Sequence, residues 1–429
     1  MPISSSPTRR SFLQASAVAL GVTASTGAAD GAPLTVAVIG TGARGCELIR
    51  ALSTIDNVRI VAVCDTYGLH RERGWQYAGP LAKAFGDPQR LFDETKPQAV
   101  VVATPPVTHV ELCLAALERG CAVFCEKTLS ANRAEAVRIA EAVTKHQAVF
   151  QVGLQRRANA IYRQAAAMVQ TGMLGRITAI KCQWNRHHDW RRPVPVARNH
   201  PDFPELDRQL NWKLYRATSQ GLLGELGSHQ LDIANWVLGA PPKNVIGVGG
   251  IDYWNDGREV FDNVSLIYDY VVTPPPARRG TTLPPGVTAD PYTVRVTYSS
   301  LQNNAYEGAS ELILGTHGTL LLTDKKGWLY REPVPEEIAW SPRAEQQAAI
   351  VASGKTLKLS NDPWAHRGTP FEIDASGDDT RDALVSFLDH VRQHDPHTLC
   401  PVNDGVLNTT TVDIGNQAMT VGTRIAWPV

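Results

Sequence analysis

The chain has 429 residues, 43% of them hydrophobic and 20% charged, which excludes a disordered polar chain and makes two domains the natural expectation. Lysine plus arginine equals aspartate plus glutamate, at 42 each, so no electrostatic footprint exists for nucleic acid or an anionic membrane. A neutral or singly charged small molecule is the expected substrate.

At the N-terminus Thr8, Arg9, Arg10, Ser11, Phe12, Leu13 and Gln14 precede a short apolar run, AVALGV, and then small residues. This order resembles a twin-arginine export signal, with cleavage expected near Ala29. The segment is too short and too weakly apolar to anchor the chain in a bilayer. The resemblance implies a protein exported already folded to the periplasm or another extracytoplasmic space. Residues 1–32 are therefore set apart from the folded domains.

From Leu34 apolar strands alternate with helical patterns. LTVAVIG, VRIVAVCD, QAVVVATPP, CAVFCEK and AVFQVG read as strands, with helices expected over 44–53, 69–86, 109–119 and 133–146. Near-continuous Val/Ala/Ile strands separated by helices predict a doubly wound parallel sheet, a Rossmann-type domain over 33–153. A helix from Gln155 to Gly172 opens the second domain, 154–429. There RITAIKCQW, NVIGVGGIDYW, VSLIYDYVV, YTVRVTYSS, ELILG and TLLLT follow with one helix among them, over 222–238. The fold class is thus α/β, a Rossmann sheet followed by an α/β domain with a large open, mostly antiparallel sheet. Two helices, over 378–393 and 403–421, close the chain, and the extreme C-terminal one is a candidate to pack back on the first domain. The loop at 185–220, rich in Trp, Arg and His, reads as functional, TPPPARRGTTLPPG as a surface excursion, and 333–375 shows weak periodicity. The seven cysteines lack CxxC spacing and fall mostly in apolar runs, so they read as buried hydrophobes.

Gly40-Thr41-Gly42-Ala43-Arg44-Gly45 follows the first strand and opens a helix, and Asp65 ends the next strand. In that context Gly40 makes the tight turn, Gly42 admits a pyrophosphate, and Gly45 lets helix pack on strand. The amides from Gly42 through Ala43 and Arg44 would receive the phosphate charge at the helix end. A carboxylate at Asp65 suits free ribose hydroxyls and repels a 2′-phosphate, which favours NAD over NADP. Thr104, Pro105, His109, Glu126 and Lys127 lie at or just beyond later strand ends, where a nicotinamide ring would sit.

GTGARG, the Asp65 strand end, ATPPVTHVELCLAALERG, CEKTLS and GELGSHQLDIANWVLG together resemble the Gfo/Idh/MocA oxidoreductases. The resemblance implies NAD-dependent hydride transfer at a ring hydroxyl of a sugar, glycoside or polyol. It also implies a homodimer or homotetramer built on the open sheet. Lys127 takes the place of the family's catalytic lysine and His229 that of its catalytic histidine, with Glu225 at a frequent acidic position. Thr128 stands where proline is usual, so a trans peptide is expected after Lys127. Glu225 and His229, four residues apart, share a helix face if the helix starts early, and Glu225 as a third catalytic residue would then orient the imidazole or hold a substrate hydroxyl. Alternatively Ser228 is the N-cap and Glu225 precedes the helix.

In such a mechanism His229 accepts the hydroxyl proton and Lys127 stabilises the developing alkoxide. Trp190 and Arg191 in the long loop, with Arg192 beside them, and Gln155, Arg156 and Arg157 after the last Rossmann strand, are substrate-pocket candidates. His187 and His188 lack a clear third ligand, so no metal is expected. Two other readings stand beside the dehydrogenase. One is a redox-neutral glycoside hydrolase with permanently bound NAD, working by oxidation, elimination, water addition and reduction. The other is a non-catalytic binding protein, against which Lys127 and His229 both argue. Export favours tightly bound NAD, because a cofactor released outside the cytoplasm would be lost.

Overall fold

The computed structural model describes residues 32–273, 290–331, 368–373 and 377–428. The segment expected to be an export signal, most of the Pro/Gly-rich stretch and most of the weakly periodic stretch lie outside the described residues.

Six strands, β1 (Leu34–Ile39), β2 (Val58–Cys64), β3 (Lys83–Phe85), β4 (Ala99–Val102), β5 (Ala122–Glu126) and β6 (Phe150–Gly153), form one sheet. Its order is β3-β2-β1-β4-β5-β6, and every pairing is parallel. Along β1, Val36 and Val38 enter one core layer and Ala37 and Ile39 the opposite one, which is why the strand is apolar throughout. Helices α1 (Ala43–Leu52), α2 (Gly68–Ala78), α3 (Pro88–Thr95), α4 (His109–Glu118) and α5 (Arg133–His146) make the crossovers. The helix expected over 69–86 stops at Ala78, because Gly79 turns left-handed at φ +87° and Pro80 follows. β3 then takes the end of the stretch expected to be helical, and α3 follows where no element was expected. Asp87 caps α3 through the Gln89 amide, and Pro88 fits its first turn.

Beyond a single 3-10 turn (Gln155–Ala158) come α6 (Ala160–Gln170), β7 (Ile177–Trp184) and α7 (Phe203–Leu210). A π-helical turn, Leu223–Gly227, runs directly into α8 (Ser228–Leu238). Then follow β8 (Pro242–Gly250), β9 (Asn263–Val272), β10 (Tyr292–Leu301), β11 (Ala309–Gly315), β12 (Gly318–Leu322), β13 (Gly327–Arg331) and β14 (Thr369–Pro370). α9 (Asp379–Gln393), α10 (Val402–Val421) and β15 (Ile425–Ala426) end the chain. The second sheet runs β14-β13-β12-β11-β7-β10-β9-β8-β15 and is antiparallel except between β7 and β10.

One face of this sheet is buried under α6, α8 and α10. Its other face exposes Ile246, Val248, Ile267 and Val271 on the two paired strands β8 and β9. Both final helices pack on the first domain, the extreme C-terminal one as the sequence suggests. Helix α9 does so through Leu384, Phe387 and Leu388, which join the Rossmann core beside Val36 and Val38. Helix α10 packs against both α5 and β8, so the C-terminal segment serves both layers. All seven cysteines are free and buried.

Candidate active site

The site begins at the switch point of the Rossmann sheet, where β1 is flanked by β2 on one side and β4 on the other. Gly40 turns with φ +88°, and a Cβ there would lie 2.6 Å from the Ala103 carbonyl. A Cβ on Gly45 would lie 1.8 Å from the Gly40 carbonyl oxygen, so this glycine is required for packing alone. Gly42 differs, since a Cβ there meets only the His70 ring at 3.9 Å. The start of α1 therefore faces open space at Gly42, with no side chain capping it. That geometry fits a bound pyrophosphate drawn to unpaired amides. Asp65 is oriented by two amides, those of Thr41 and Tyr67, each at 2.8 Å.

Arg44 turns from α1 toward the end of β5. It donates to Glu126 at 2.7 Å and to Thr380 of α9 at 3.0 Å, while Nη2 is buried with no partner. Thr104 abuts Gly40, and its hydroxyl accepts from Thr108 at 2.7 Å; Pro105 leads into the 3-10 turn ahead of α4. His109 is fully buried and plays a different part from the cofactor contact expected of it. Its ring nitrogens lie 2.8 Å from the Thr104 carbonyl and 3.1 Å from the Thr128 carbonyl, tying two strand-end loops together.

The peptide between Lys127 and Thr128 is cis, against the expectation of a trans bond. Thr128 is held on both sides. Its carbonyl faces His109, and its hydroxyl bonds Gln220. Lys127 donates through Nζ to the Glu225 carbonyl at 2.8 Å, with the Gly224 carbonyl at 3.5 Å. Burial pushes the proton affinity of this ammonium down, opposed by Glu225 and reinforced by Lys213.

The helix that carries Glu225 and His229 starts early, at Gly221, but through a π turn, and Ser228 is not its N-cap. Glu225 lies in the π turn, and the Ser228 hydroxyl bonds back to the Gly224 carbonyl at 2.6 Å rather than capping a helix. The Glu225 carboxylate pairs with Lys213 at 2.6 Å. Burial raises its pKa, but Lys213 and Lys127 outweigh that and hold it below the usual carboxylate range. His229 is buried in the first turn of α8, with Nδ1 unpartnered and Trp184 at 5.6 Å. Burial, with Lys127, Arg156 and Arg44 around it, pushes its pKa well below the ordinary histidine value. It is therefore a neutral imidazole near pH 7.

A cavity of about 630 Å³ opens beside His229, lined by Gln155, Trp184, Asp324, Asp379 and Thr380 among others. Gln155 reaches it with a buried, unpartnered Oε1, a group that a hydroxyl could satisfy. Other substrate candidates have different partners. Arg156 borders the cavity, but its guanidinium is bound to buried Glu311 and stacked 5.1 Å from Trp184. Arg157 forms a buried two-point pair with Asp232 at 2.8 and 2.9 Å. Arg191 is committed to Asp207 at 2.9 Å and Asp256 at 3.2 Å, so it orders the long loop instead of meeting a ligand. Trp190, at φ +63°, presents its ring 5.8 Å from Lys213 and stands outside the cavity lining.

His188 accepts from the Trp190 amide at 2.7 Å, and His187 lies edge-on to Trp254. Among the described residues, no group of three His, Cys, Asp or Glu side chains is placed to hold a metal ion. Sequence reasoning missed Lys213, Trp184 and Thr380. Trp184 had a signal, as the last residue of a strand that alternates inward and outward. Thr380 had none, since its partner Arg44 is 336 residues away.

The model of an oxidoreductase family with an NAD-binding Rossmann fold, GFO_IDH_MocA, matches residues 34–154, and its C-terminal domain matches 162–271. The chain belongs to the Gfo/Idh/MocA oxidoreductases. It is similar to an inositol 2-dehydrogenase of Streptomyces avermitilis, 31% identical over 210 residues, covering 48% of this chain and 53% of that protein. It is also similar to a 2,7-anhydro-N-acetylneuraminate hydratase of Mediterraneibacter gnavus, 28% identical over 215 residues, covering 50% and 52% of the two chains. The matches span about half the length of these relatives. In fold it resembles the WlbA dehydrogenase of Bordetella pertussis, solved with NADH and UDP-GlcNAcA, with a TM-score of 0.64. That likeness has 17% identity and covers 92% of this chain and 98% of the other.

Proposed function

We propose that this chain is an NAD-dependent oxidoreductase acting on a ring hydroxyl of a sugar, glycoside or polyol. The observation that carries the reading is a neutral, buried His229 at the wall of a cavity, with the Lys127 ammonium bearing on it from the end of β5. Bound nicotinamide supplies a hydride acceptor. Gly40, Gly42, Ala43, Arg44 and Gly45 would hold its pyrophosphate, Asp65 its adenosine ribose, and Thr104, Pro105 and Glu126 the nicotinamide half. Asp65 supports NAD over NADP, because its carboxylate would repel a 2′-phosphate. His229 removes the hydroxyl proton, Lys127 donates a hydrogen bond to the oxygen as it gains charge, and Gln155 orients a neighbouring hydroxyl.

The relative named as a hydratase favours a second reading, a redox-neutral cycle with retained NAD that cleaves a glycoside. There the oxidised ring loses its leaving group by elimination, takes up water and is reduced again. Export through Arg9 and Arg10 supports retention. Replacing both arginines with lysine should trap the protein in the cytoplasm, and unchanged export would remove that support. The apolar outer strands β8 and β9 support pairing of copies through the open sheet.

Incubating the purified protein with a panel of polyols and glycosides in D2O, without added nucleotide, separates the readings. Deuterium incorporated with release of the aglycone supports the redox-neutral cycle. Absorbance rising at 340 nm without cleavage supports the dehydrogenase. Copurification and binding of no nucleotide at all would defeat both.

A further inference from the structure

The long loop at 185–220 carries a lysine that the catalytic assignment above does not use. Lys213 sits in a 3-10 turn, Trp212–Leu214, and extends its ammonium between two indoles, 5.8 Å from the Trp190 ring and 5.4 Å from the Trp212 ring. It ends 2.6 Å from the Glu225 carboxylate, which is only 9% exposed. The turn is fixed from both sides. Asn211 bonds the Arg192 carbonyl at 3.0 Å and Asp207 at 2.8 Å, and Tyr215 also bonds Asp207.

Glu225 thus has two faces in use. Its carboxylate takes Lys213, and its backbone carbonyl takes Lys127. A buried carboxylate beside two ammonium groups would pair with the nearer free one if the other were absent. We propose that Lys213 is a positioning residue that occupies the Glu225 carboxylate, so that Lys127 remains bound only to carbonyls and free to serve the substrate oxygen. This rests on the oxidoreductase reading above.

The charged and titratable groups facing this centre come from every element packed around it. Glu126 is on β5, Arg44 on α1, His109 on α4, His229 on α8 and Arg186 beyond β7. None of these makes a side-chain ion pair with Glu225; among the described residues that pair is made by Lys213. Losing Lys213 removes a positive neighbour from Lys127 and offers Lys127 a carboxylate. Both changes raise the proton affinity of Lys127 and draw it from the substrate.

The test compares wild type, Lys213→Met and Lys213→Arg, loaded with NAD and assayed with myo-inositol and with the best substrate from the polyol panel. For Lys213→Met, kcat should fall roughly tenfold to a hundredfold while KM changes little. The basic limb of the pH profile should move up by about one to three pH units. Lys213→Arg should restore most of the rate, because its guanidinium can keep the carboxylate occupied. A crystal structure of Lys213→Met supplies a readout independent of activity, with the Glu225 carboxylate expected on Lys127 Nζ. An unmoved Glu225 together with an unshifted pH profile overturns the proposal. A wild-type protein that binds no nicotinamide dinucleotide overturns the oxidoreductase reading instead.

Discussion

At the residue scale, the proposed catalysis divides between a neutral imidazole, His229, and a destabilised ammonium, Lys127. Burial lowers the proton affinity of both His229 and Lys127, and the Lys127 charge lowers that of His229 further. His229→Ala should lower kcat by roughly a hundredfold to ten-thousandfold while its circular dichroism spectrum stays that of the wild type. A rate within threefold of wild type would remove His229 as the base. Lys127 and His229 were legible in the sequence because each stands at a recognisable place, a buried strand end and a Gly-Ser-His turn. The partners that tune them were not. Lys213 meets Glu225 only after the long loop is folded onto the π turn, and Arg156 meets Glu311 only after β11 is paired with β7. Arg191 was read as a ligand-binding cation because sequence cannot display the two carboxylates, Asp207 and Asp256, that satisfy it.

At the element scale, glycines separate packing from ligand space. Gly45 faces the Gly40 carbonyl with no room for a methyl group, whereas Gly42 looks into open space. Gly45→Ala should therefore lower the melting temperature clearly. Gly42→Ala should melt as wild type does yet weaken nucleotide binding by roughly tenfold or more. Equal behaviour of the two variants in both assays would contradict this division. The parallel strands were readable from their unbroken apolar runs, and α5 falls on the expected 133–146. The π turn was not readable. Ser228 has the chemistry of an N-cap, but its hydroxyl is used on the Gly224 carbonyl, and the helix continues through it. Nor was β3, three residues long and two of them exposed, which carries little pattern of its own.

At the scale of the whole molecule, the chain does not fold as two consecutive halves. Helix α9 completes the Rossmann core, and α10 bridges that domain and the second sheet. This arrangement buries His109 and His229 in elements that frame the site, and their proton affinities are pushed down chiefly by burial. Their folded pKa values lie below the unfolded value of about 6.5, so the unfolded chain binds protons first as pH falls. Stability should hold above about pH 6.5 and decline below it, read as a falling melting temperature between about pH 7 and pH 5. A melting temperature that is flat or rises over that interval would show that these rings are charged in the folded state. The outer sheet face makes a separate claim about assembly. The proposed pairing of copies predicts that wild type sediments as an oligomer and that Ile267→Asp, placed opposite Ile246 in the register, sediments as a monomer; a wild-type monomer would refute that interface.

The central claim, a nicotinamide dinucleotide held with its reactive end toward His229, is tested most directly by titrating the nucleotide-free protein with NADH. Nicotinamide fluorescence reads the reactive half of the ligand. The account predicts saturable, enhanced and blue-shifted emission, with NADPH binding at least about tenfold more weakly because of Asp65. Unchanged fluorescence with both nucleotides, up to millimolar concentrations, would contradict it.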